Sequence, residues 1–133
     1  MGSMPEKTFE PGIHHIEFWV ANLAESIEFY RQLFSIIGWK QLNETAFSTG
    51  ETEIYFKEIR VELVRTLGPR HICYQAMNRS VVDEVASFLH NVQATIIRGP
   101  IEVKEYSEGY YTVDFYDPNG YIVEVVYAPN MEM

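Results

Sequence analysis

Only one cysteine, Cys73, occurs in the 133 residues, so no disulfide can close within the chain. Positive charge is scarce too: 10 Lys and Arg stand against 19 Asp and Glu, a net charge of −9. A chain so acidic lacks the basic surface that nucleic acid or an anionic membrane would require of a partner. No apolar run of about 18 residues is present, and no secretory leader pattern, so no membrane span is expected. With the lone thiol, this points to a reducing cytoplasm as the expected location.

What is present is core-forming material. Apolar residues make up 47% and aromatics 14%, enough for one globular domain. Met1-Gly2-Ser3 ahead of Met4 has the form of a cloning remnant, and residues 1–12 read as that remnant plus a polar tail. The domain is expected over 13–129.

Asp117-Pro118-Asn119-Gly120 carries the residues of a type I turn, with Pro at its second place and Gly at its last. The apolar stretch that follows reads as a buried strand, with Glu124 as the one carboxylate on a face shared with Ile122 and Val126. A carboxylate there is costly to bury without a cationic or hydrogen-bonding partner.

Earlier in the chain, Ile13–Ala21 alternates as a strand, with His15, Glu17 and Trp19 on one face and Ile16, Phe18 and Val20 on the other. Asn22 with Glu25 predicts a helix start, Leu23, Ile27, Tyr30 and Phe34 its buried stripe, and Gly38 its end. Strands are expected near Trp39–Phe47, Glu53–Lys57 and Arg60–Thr66, and Leu67-Gly68-Pro69 is the one plausible joint. Then the order recurs. Arg70–Met77 alternates, with His71, Cys73 and Gln75 on one face; Ser80 and Asp83 predict a second helix start; strands follow near Ala94–Ile97, Tyr110–Tyr116 and Tyr121–Tyr127. The chain therefore divides into two β-α-β-β-β modules, 13–67 and 70–129, an α+β fold.

Superposing the modules pairs His15 with His71 on the first strands and Glu62 with Glu124 on the last. Two imidazoles and two carboxylates facing one surface make an N₂O₂ set, suited to Zn, Ni, Co, Mn or Fe(II) with positions left for substrate. One histidine on a strand is ordinarily a hydrogen-bonded structural residue; four such residues at equivalent places of a repeated unit are harder to explain that way. The competing reading is two His–Glu couples without metal. Trp19 and Gln75 share the cleft face, and Arg65, among Arg60, Arg70 and Lys57, could hold an anionic substrate end. For each the plain alternative is packing or solvated charge, and Cys73 is expected to be a small buried hydrophobe.

His15 through Val20 leading to Phe29-Tyr30, then His71-Ile72, and Asp117-Pro118-Asn119-Gly120 before Ile122-Val123-Glu124 resemble the vicinal oxygen chelate superfamily. It contains glyoxalase I, extradiol dioxygenases and bleomycin-resistance proteins, and the resemblance is closest to glyoxalase I-like members. It implies paired modules forming an open, curved, eight-stranded mixed sheet around a metal, with His15, Glu62, His71 and Glu124 as ligands, and a homodimer. Gly38 comes later after Tyr30 than is usual there, which implies an extra helical turn, and no glutathione-binding signature is present. The expected activity is that of a metal-dependent lyase or isomerase acting on a small oxygen-chelating substrate through an enediolate-like intermediate, with Glu124 or Glu62 as base. The alternatives are an Fe(II) ring-cleaving dioxygenase using His15, His71 and Glu124, and a non-catalytic drug-binding protein.

Overall fold

Asn22 separates the first strand from the first helix. Its side-chain oxygen accepts from the Glu25 backbone N–H at 3.1 Å and fills one of the donors a helix start leaves open. The computed structural model describes residues 11–59 and 71–131. Within them β1 is His15–Val20 and α1 is Leu23–Ile37. Gly38 ends α1 in the left-handed region at φ 97°, with its N–H on the Phe34 carbonyl. The stripe is broader than the spacing predicts: Phe29, Leu33 and Ile37 join Tyr30 and Phe34 in the core, while Leu23 and Ile27 pack at its margin.

The single strand expected over Trp39–Phe47 is a hairpin, β2 Lys40–Asn43 and β3 Ala46–Ser48. Asn43 makes the turn, its side-chain oxygen accepting from the Thr45 N–H at 2.9 Å. β4, Glu53–Glu58, returns through the centre and runs parallel to β1, giving the order β1-β4-β3-β2. Three strands thus follow α1 before residue 59, and the strand beside β1 is β4. The strand expected over Arg60–Thr66, with Glu62 and Arg65, lies outside the described residues, as does the Leu67-Gly68-Pro69 joint.

The second module repeats the plan. β5 is His71–Gln75, α2 Arg79–Asn91, β6 Ile96–Glu102, β7 Tyr111–Tyr116 and β8 Ile122–Tyr127, in the order β5-β8-β7-β6. The cap of α2 is Asn78, not Ser80: its Oδ1 accepts from the Val81 N–H at 3.1 Å, and the Ser80 hydroxyl donates to that same oxygen. Asn outranks a Ser two residues later because its amide oxygen reaches the third open N–H.

Alternation along the strands holds where expected. Tyr74 and Ala76 enter the core while His71, Cys73 and Gln75 face outward from it, and Val123 and Val125 lie inside. One apolar core spans both modules, from Phe34, Phe47 and Ile54 to Val85, Phe115 and Val125. Each of these side chains contributes about 1.5–3 kcal/mol on leaving water. The turn Asp117–Gly120 forms with its Gly120 N–H on the Asp117 carbonyl. It also crosses between modules: Asn119 accepts from the Ala21 N–H and donates to Ser26. No described helix is long and apolar enough to cross a membrane.

Candidate active site

Parallel pairing of β5 with β8 sets Cys73 beside Glu124 and His71 beside Ile122. That register brings the His71 Nε2 to 3.2 Å from the Glu124 Oε1. Glu124 is buried, with its other oxygen occupied: Oε2 accepts from the Tyr110 hydroxyl at 2.6 Å and from the Thr112 hydroxyl at 2.7 Å. The carboxylate that seemed isolated on an apolar strand therefore has three polar partners, two of them supplied by β7 and the residue before it. Sequence reasoning missed both hydroxyls, because antiparallel register between β7 and β8 decides what meets Glu124 and the chain does not print that register.

Asp114 stands directly across from Glu124 on β7. Burial first, and then the nearby Glu124 charge, raise its carboxyl above the ordinary range; Arg98, at 2.8 Å from Oδ2, offsets part of this. These groups line a cavity of about 230 Å³ together with Tyr106 and Ile97. A larger hollow of about 420 Å³ between α1 and the Tyr116-Asp117-Pro118 segment has no histidine among its lining residues, so size does not locate the chemistry. Cys73 is exposed rather than buried as expected; crowding by the sheet, then the charges of Glu124 and Asp114, push its thiol up to about 12. A thiol so weakly acidic is a poor nucleophile or metal ligand at neutral pH.

The first module differs. The register that sets Glu124 beside Cys73 sets Tyr55 beside Glu17, and Glu53 beside His15. Tyr55 thus holds the place of Glu124, and the carboxylate that shares the His15 face of β4 is Glu53, to which the Tyr55 hydroxyl donates. Glu62, which superposing the modules matches to Glu124, lies outside the described residues. His15 is exposed, edge-on to the Tyr55 ring and 3.0 Å from His14 between their Nδ1 atoms. Trp19 is exposed with its indole N–H on Glu17, and Gln75 is exposed on β5.

Of the four expected ligands, then, the structure joins His71 to Glu124. Among the described residues no three His, Cys, Asp or Glu side chains are grouped as a metal ion requires. The pair present fits part of a divalent-ion site, one imidazole nitrogen and one free carboxylate oxygen, and needs further donors.

Two βαβββ modules, the second pairing an exposed histidine with a buried glutamate, define a protein of the paired-module, cleft-forming α+β class. The match to the family model for the Glyoxalase/Bleomycin resistance protein/Dioxygenase superfamily runs over residues 12–125, and the chain belongs to that family. Among solved structures it is similar to a glyoxalase candidate from Bacillus halodurans, at 24% identity and TM-score 0.71, covering 87% of this chain and 95% of that one. A glyoxalase/dioxygenase from Nostoc punctiforme gives 16% identity and TM-score 0.70, covering 96% and 100%. Lactoylglutathione lyase from Agrobacterium tumefaciens gives 20% and 0.60, covering 90% and 95%. These likenesses concern the fold. No curated protein matches the chain in sequence.

Proposed function

We propose that the protein is a metal-dependent lyase or isomerase of the glyoxalase type, acting on a small oxygen-chelating substrate in the cytoplasm as a homodimer. The observation that carries this reading is the His71–Glu124 pair at 3.2 Å, set in a cavity and braced by two hydroxyls. His71 and Glu124 would hold a Zn, Ni, Co, Mn or Fe ion, with His15 and Glu62 as the other two ligands. Bound there, such an ion would polarise a substrate carbonyl and make the neighbouring C–H more acidic.

The chain's own groups do the rest. A glutamate, Glu62 or Glu124, takes the proton from carbon and returns it to the neighbouring carbon. Ile97 and Ile122 line the apolar side of the cavity, and Trp19, Gln75 and Arg65 would shape the substrate side. His15 belongs to β1 of the first module and His71 to β5 of the second, and a second copy of the chain would complete the site. Elemental analysis of protein purified without added metal, followed by isomerase assays on thiol adducts of 2-oxoaldehydes, tests the proposal. Stoichiometric divalent metal with metal-dependent turnover is expected; protein that stays metal-free and is not stabilised by any of the five ions overturns it.

A further inference from the structure

We infer that Tyr110 and Thr112 are positioning residues which fix one oxygen of Glu124 and leave the other as its single working oxygen. The inference rests on the reading of His71 and Glu124 as part of a metal set.

An ionised carboxylate offers about four acceptor sites over its two oxygens. On Glu124 the Oε2 atom takes two short hydrogen bonds, from Tyr110 at 2.6 Å and Thr112 at 2.7 Å, whereas Oε1 has the His71 Nε2 before it at 3.2 Å. The Thr112 hydroxyl has one proton and two acceptors, the Val125 carbonyl lying farther off at 3.1 Å. The carboxylate is the nearer and the charged one, so it takes the proton. Tyr110 makes the shorter of the two bonds, its hydroxyl donating to the same oxygen. Asp114, the neighbouring carboxylate, is drawn off by Arg98 and does not compete for the two hydroxyls.

Glu124 held this way is a fixed arm. To swing out as a mobile base it would give up two charge-assisted hydrogen bonds in a buried place at once. Its other oxygen lies 3.2 Å from the His71 Nε2, so the clamp keeps the two donor atoms beside each other.

The test uses Tyr110→Phe, Thr112→Val and Thr112→Ser in the full chain. Ni²⁺ alone is the probe, its affinity measured by competition with a chromophoric chelator. Losing either hydroxyl is expected to weaken Ni²⁺ binding by about 10- to 100-fold, the usual effect of removing a group that orients a ligand, and Thr112→Ser should restore it. In metal-free protein the ¹⁵N resonance of His71 Nε2 should move in the Phe and Val variants and return in the Ser variant. A lowered melting temperature with Ni²⁺ affinity unchanged in the folded fraction would mean a merely structural role and overturns the inference. Should the unmutated protein bind neither Ni²⁺ nor any of the other four ions, the metal reading falls by itself. The His71 resonance then decides the clamp alone: displaced in the variants it stands, unmoved it does not.

Discussion

The hydroxyl of Tyr30 donates to Oδ2 of Asp117 at 2.6 Å, so a residue of the first module's helix anchors the turn that launches the strand bearing Glu124. Oδ1 of the same carboxylate accepts from the backbone N–H groups of Asn119 and Tyr121. Tyr30→Phe leaves a buried carboxylate oxygen without a donor and is expected to destabilise the fold by about 1–3 kcal/mol, read as a shifted urea midpoint with unchanged slope.

Gly99 lies in β6 at φ 92°, and a Cβ added there would stand 2.4 Å from the carbonyl oxygen of Thr112. Side chains at positive φ are strained, and here the obstacle is backbone. Gly99→Ala should cost about 1–3 kcal/mol or more and also disturb the Thr112 hydroxyl that holds Glu124. Thermal unfolding measures the first effect; Ni²⁺ affinity of the folded fraction measures the second.

Glu124→Gln keeps a side-chain oxygen for Tyr110 and Thr112, so the variant should fold with a melting temperature near that of the unmutated chain. Its turnover should fall by about 100-fold or more, because the free charge facing His71 is gone. Full activity in this variant would remove Glu124 from the site.

If two copies complete each site, His15→Ala and His71→Ala are each inactive alone, yet their co-expressed mixture regains activity. Random pairing puts half the population in mixed dimers with one intact site of two, so about a quarter of full activity is expected. No recovery would place the whole site within one chain.

The Asp114 carboxyl lies above the ordinary carboxylate range because of burial and the Glu124 charge. A raised acid binds protons more readily folded than unfolded, so its contribution to stability grows as pH falls from the raised value toward the ordinary 3.8. Asp114→Asn should remove that component, so the slope of unfolding free energy against pH over the window just above 3.8 differs from that of the unmutated chain. Identical slopes would show that Asp114 titrates normally.

Much of the fold was legible because its signals are local. Asn22 and Gly38 bracket α1 by their own side-chain and backbone chemistry, and the alternation of His71, Cys73 and Gln75 against Tyr74 and Ala76 gives the faces of β5 without reference to anything distant. The same alternation puts Glu124 on one face of β8 with Ile122 and Val126, and the parallel register of β5 with β8 then brings it to His71. What stayed hidden depends on pairing. The β2–β3 hairpin makes β4 the parallel neighbour of β1 and sets Tyr55 beside Glu17, a register that no periodicity in the chain announces. Tyr110, Thr112 and Arg98 likewise join the site through cross-strand partners whose alignment only the folded sheet sets.

Burial and the charges of Glu124 and Asp114 raise the Cys73 thiol, so it should react more slowly with maleimides or nitroxide reagents at neutral pH than an unperturbed cysteine. A second cysteine at a surface position such as Met77, which is 76% exposed, would then take a probe ahead of it.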